Sequence, residues 1–115
     1  MDIINILVAL VTIALGCFGF LAPRYTMGAL NLKTDGSNMG MSEIRASVGC
    51  LFVAMGIACL WFGTPEAYFM LGAAYAGAAT GRFVSLILDN PPKQKATVYF
   101  LVEAVGAVWL LVANA

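Results

Sequence analysis

The side chains with most chemistry to offer are Glu43, Arg45, Arg82, Ser85, Asp89 and Glu103. Glu43 and Arg45 stand at the mouth of an apolar run, "MSEIRASVGCLFVAMGIACLWF", and Glu103 lies inside the apolar run that closes the chain. Arg82, Ser85 and Asp89 follow one another at spacings of three and four, which on a helix places them on one face. An acid and a base among apolar residues can serve a proton or solute path, hold a polar head group, or neutralise each other and fix how helices meet. Left unpaired, each would cost ~3 kcal/mol in the apolar layer. Arg82 is the better partner for Glu103, because a guanidinium keeps its proton and its planar fork matches a carboxylate. Glu43 and Arg45 are left to reach the surface or to meet Asp89. A buried clamp is the expected role of this polar layer, and a ligand site stays open beside it.

Other chemistry is thin. The chain has no histidine, so the usual ligand of haem, of chlorophyll-type magnesium and of most transition-metal sites is missing. No metal-ligand cluster or phosphate loop occurs, and Ser42, Ser47 and Ser85 have no evident base, so neither an enzyme nor a cofactor is expected. Cys17, Cys50 and Cys59 all fall within apolar runs and read as small buried hydrophobes. The segment "ALGC" is similar to a lipoprotein box, but Asp2 stands where a signal peptide carries Lys or Arg. An uncut first helix is therefore expected. Six basic residues balance six acidic ones, which leaves no basic face for nucleic acid.

The elements that must position these residues are membrane spans. Hydrophobic residues make up 62% of the 115 and charged ones 10%, with a mean hydropathy of +0.91, too apolar for a soluble domain. The lipid bilayer and other membrane proteins are the expected partners. A crossing needs ~20 helical residues. Four stretches qualify, at about residues 3–21, 44–62, 67–88 and 97–113, closed or separated by Pro23, by "GTPE" and by "DNPPKQK". Ser42 is a plausible N-cap for the second. Short connections after the second and third crossings predict a single all-α domain, an up-down-up-down bundle.

Arg24, Lys33, Lys93 and Lys95 lie in the first and third connections, whereas Asp2 and Glu66 mark the termini and the second turn. The positive-inside rule then puts both termini in the periplasm of a bacterial inner membrane. In the first connection Tyr25, Met27, Leu30 and Leu32 predict either a short interfacial helix or an irregular loop. Ala73, Gly77 and Gly81 recur every fourth residue and predict close helix packing at Gly77 and Gly81. Trp61, Phe62, Tyr68, Phe69 and Trp109 gather at the outer end as an interfacial belt.

Taken together, Pro23, the "EIRA" of Glu43 to Ala46 with Gly49, the Gly81, Arg82, Ser85, Asp89 pattern and Glu103 resemble a family of small four-helix bacterial membrane proteins of unknown function. Cys50 and Asn90 stand where such proteins tend to carry glycine. The resemblance implies the architecture and the polar layer, and no reaction.

The function expected is that of an accessory or structural subunit in a larger inner-membrane complex, with an energy-transducing, photosynthetic or respiratory assembly as the setting. A chain running from Met1 to Ala115 without tag-like residues fits a companion carried in its native complex. The alternative is a small proton or solute carrier, or a lipid-head-group binder, that uses Arg82 and Glu103.

Overall fold

The structure, a computed structural model, describes residues 3–115; Asp2, counted above with the outer charges, lies outside them. The described residues form helices and no strand: α1 (Ile3–Leu21), α2 (Pro23–Ala29), α3 (Met39–Arg45), a π-helical turn (Ala46–Cys50), α4 (Leu51–Phe62), α5 (Pro65–Leu88) and α6 (Lys93–Ala113). Four helices are long and apolar enough to cross a membrane: Ile3–Leu21, Met39–Phe62, Pro65–Leu88 and Lys93–Ala113.

Helix starts differ from the sequence reading. The second long helix begins at Met39, so Ser42 is an interior residue and Asn38 takes the cap position without a side-chain bond. The third begins at Pro65, where a proline in the first turn costs no hydrogen bond, and Thr64 caps it by accepting from the Ala67 N–H at 3.3 Å. The fourth begins at Lys93, directly after Pro92. Of the two readings of the first connection, helix or irregular loop, a short helix forms, α2, but it stops at Ala29. Leu30 and Leu32 fall beyond it, where Asn31 at φ 59° turns the chain.

The chain divides after Phe62 into two compact units, each holding an antiparallel pair of long helices. In the first, α1 buries Asn5, Ala9, Thr12, Gly16 and Gly19, a seam of small residues at alternating spacings of four and three. Against it lie Gly49, Gly56 and Cys59. A Cβ at Gly16 would stand 2.6 Å from the Gly49 carbonyl oxygen and 2.7 Å from the Val53 nitrogen, and one at Gly19 would strike the Val48 carbonyl. The two backbones are therefore in direct contact. Ile44 and Gly49, both buried, are five residues apart. An α-helix would turn such a pair well away from each other, and the π-turn's wider i→i+5 step keeps both towards α1.

In the second unit the core is made by Tyr68, Leu71, Gly72 and Ala79 of α5 with Ala96, Ala107 and Leu110 of α6. Of the glycines on this pair Gly72 is the most tightly packed: a Cβ there would lie 2.8 Å from that of Leu110. A Cβ at Gly106 would lie 3.7 Å from the Tyr75 ring, an ordinary contact. The ends are tied by Asn114 Nδ2 donating to the Leu110 carbonyl at 2.8 Å and Lys93 Nζ donating to the Leu86 carbonyl at 2.8 Å, which satisfies acceptors that helix C-termini leave open.

Three expectations are corrected here. Tyr68, placed in the aromatic belt, is 1% exposed and belongs to the core, whereas Trp61, Phe62 and Phe69 are exposed. Of the cysteines only Cys59 is buried; Cys17 is half-buried and Cys50 exposed on the π-turn. Gly77 and Gly81 are exposed, and a Cβ at either would meet nothing within 4 Å; the tight glycine contacts fall at Gly16, Gly19, Gly49, Gly56 and Gly72 instead.

Candidate functional site

Arg82 sits on α5 six residues before its end, and Glu103 lies ten residues into α6. The antiparallel register sets Gly72 opposite Leu110 and Tyr75 opposite Gly106, so Glu103 faces the turn of α5 that precedes Arg82. Helical side chains lean towards the N-terminus of their own helix. In an antiparallel pair this makes the two side chains lean towards each other.

They close in a two-point bond. Arg82 Nε donates to Glu103 Oε1 at 2.7 Å, and Nη2 donates to Oε2 at 3.1 Å. The guanidinium also lies over the Tyr99 ring, 5.4 Å from its centroid, and Phe83 and Phe100 make a tilted ring pair at 5.7 Å on the neighbouring turn. This is the fork-to-carboxylate geometry that gives an ion pair its greatest strength and direction. Both charges of the pair, set away from the helix ends, cancel within one hairpin. The Arg82 side chain is 32% exposed and that of Glu103 17%.

The other predicted site residues do different things. Ser85 is half-buried and Asp89 exposed, and Asp89 contributes its backbone N–H, which donates to the Ser85 carbonyl at 2.8 Å and closes α5. Glu43 is exposed; its backbone carbonyl accepts from the Ser47 hydroxyl. Arg45 makes no ion pair with Glu43: its Nη1 donates to the Phe20 carbonyl at 2.6 Å. The chain leaves helical geometry at Ala22, φ −130° and ψ 62°, so the last carbonyls of α1 lack intrahelical donors. Arg45 supplies one. The signal for it in the sequence was Pro23, which ends α1 and thereby creates acceptors in need of a partner.

The sequence reading thus paired Arg82 with Glu103 correctly and missed what Arg45 does. It also missed the seam on α1, where Asn5, Ala9, Thr12, Gly16 and Gly19 carry the helical spacing in plain view. Among the described residues no three His, Cys, Asp or Glu side chains come together as metal ligands.

A family model described as "Domain of unknown function (DUF4345)" matches residues 1–114. No curated protein and no solved structure matches the chain.

Proposed function

The chain belongs to the DUF4345 family, and from that premise we propose that it is a non-enzymatic accessory or structural subunit of a larger bacterial inner-membrane complex. The observation that carries this reading is how its charges are used. Arg82 and Glu103 neutralise each other across α5 and α6, and Arg45 binds the end of α1. These groups hold helices; none is left as a carboxylate or cation waiting for a proton or an ion. Long helices with exposed apolar faces, such as Leu7, Val11, Leu15 and Phe18 on α1, suit lipid and neighbouring membrane proteins as surroundings. By the positive-inside rule both termini face the periplasm. With the native cysteines replaced by alanine, a membrane-impermeant thiol reagent should label an Ala115→Cys variant in intact cells and leave a Lys93→Cys variant untouched. The reverse pattern would invert the topology.

Purified protein in liposomes should show no proton or solute flux, and mild detergent should extract it from native membranes in a particle far larger than 12.1 kDa plus its micelle. The second reading, a carrier or head-group binder, is favoured by one fact: nearly a third of the Arg82 side chain stays exposed. A lone monomer with flux that Glu103→Gln abolishes would replace the first reading by the second.

A further inference from the structure

Arginine presents five N–H donors in a fixed fork, and Glu103 takes two of Arg82's. The other three, two on Nη1 and one on Nη2, have no acceptor among the described residues. With α5 spanning a membrane, they do not lie in bulk water. The 24 residues of α5 span ~36 Å at 1.5 Å per residue, against ~30 Å of hydrocarbon. Six residues from the helix end, the Arg82 Cα therefore lies ~6 Å inside the apolar layer. In that medium an open N–H is costly and acquires an acceptor from whatever surrounds it. Ala78, exposed one turn earlier on the same side of α5, is too short to cover the fork.

The charge balance says what kind of acceptor fits. Arg82 and Glu103 together are neutral, so a phosphate or carboxylate added to them would bring an uncompensated charge into the apolar layer. A neutral oxygen would not. The remaining N–H bonds lie in the guanidinium plane, so the fork's outer edge is the binding direction; the guanidinium carbon lies over the Tyr99 ring, 5.4 Å from its centroid. We infer that this outer edge of Arg82 binds a neutral carbonyl oxygen of a membrane amphiphile, either the ester carbonyl of a glycerolipid or the carbonyl of a free apolar molecule. The inference rests on the clamp reading above, because the clamp is what makes the site neutral and holds the fork in place.

The test is native mass spectrometry of the full-length protein titrated with dioleoyl phosphatidylcholine and with its dialkyl ether analogue, which lacks the carbonyls. The diester lipid should be retained about ten-fold more strongly, the factor of a hydrogen bond from a charged donor. Arg82→Met combined with Glu103→Met removes donor and acceptor together at similar volume, and should bring the diester down to the ether level while the far-UV circular dichroism stays helical. Equal retention of the two lipids by the native protein would overturn the inference, as would a diester preference that survives in the double variant. A decyl-substituted benzoquinone identifies the source: displacement of the diester, one for one, assigns the site to a free carbonyl amphiphile, and failure to displace assigns it to the glycerolipid. Additivity in an Arg82 and Glu103 mutant cycle would sink the clamp, and flux in liposomes would sink the accessory role; neither measurement reads the carbonyl preference, so the failures can be told apart.

Discussion

In the first hairpin α1 and the second long helix touch backbone to backbone, through Gly16 and Gly19 on one side and Gly49 and Gly56 on the other. In the second hairpin α5 and α6 are spaced by side chains, with a tightly packed glycine only at Gly72 and a charged pair, Arg82 with Glu103, one end further along. Lipid tails are as apolar as leucine, so helices in a membrane gain little from hiding apolar surface from one another. What remains is close van der Waals contact or polar bonding, and each hairpin relies mainly on one. A contact made of missing side chains tolerates no addition, whereas a contact made of opposite charges tolerates no unilateral loss.

The largest effect should follow from breaking the charged contact on one side. Arg82→Ala leaves Glu103 with its charge in the apolar layer, and losing one partner of a buried pair costs ~3–5 kcal/mol; with Arg82 partly exposed the lower end is expected. Arg82→Met with Glu103→Met should recover most of it. Unfolding in bicelles, measured over the full double-mutant cycle, should show coupling of at least ~1 kcal/mol. Strict additivity would mean the second hairpin does not depend on the pair, and the contrast between hairpins would disappear.

Next comes the contact made of absences. Gly19→Ala must push α1 off the Val48 carbonyl, a backbone atom that cannot rotate aside, and should cost ~2–3 kcal/mol by the scale of overpacked cores. Gly72→Ala meets the movable end of Leu111 and, at 2.8 Å, the Leu110 Cβ, which is fixed to the α6 backbone; the overlap is shallower than at Gly19 and should cost ~1–2 kcal/mol. Equal losses at the two sites, in the same bicelle assay, would show that the first hairpin is no tighter than the second. A smaller loss, ~1 kcal/mol, is expected for Arg45→Met, which removes the donor to the exposed end of α1. Hydrogen exchange at the amides of Phe18 to Ala22 should quicken while exchange in the middle of α1 stays slow.

How far the sequence reveals all this differs between the hairpins for the same physical reason. Arg82 and Glu103 are legible because charge in an apolar run is rare and must be neutralised, so type alone nearly dictates the partner. The four crossings are legible for a similar reason, from long apolar runs bounded by Pro23, "GTPE" and "DNPPKQK". Glycine is ambiguous: it marks a close contact only if another helix lies opposite, and helix rotation decides that. Hence Gly77 and Gly81, spaced as a packing motif, face open space, while Gly16 and Gly19 are at the contact. The π-turn at Ala46–Cys50 is hidden too, since it shows only as a five-residue step between buried positions that a 3.6-residue period does not anticipate.

The smallest effect is the one that sharpens the comparison most. Gly77→Ala and Gly81→Ala add a methyl where no atom lies within 4 Å, and each removes a glycine from the interior of α5, where glycine is ~0.5–1 kcal/mol worse than alanine. In purified protein the second hairpin should therefore be unchanged or slightly more stable, unlike the first hairpin after Gly19→Ala. A clear loss of stability would mean that these glycines pack after all. The same variants carry a second readout if the protein is an accessory subunit. Ala73, Gly77 and Gly81 form an exposed strip of small residues on a membrane helix, the kind of surface against which another helix can come close. A methyl added there would leave folding alone and weaken only the contact with a neighbour. Gly77→Ala should then lower the share of protein extracted in the large particle without lowering its stability. A large particle indifferent to both substitutions would place the partner's contact elsewhere and leave the strip facing lipid.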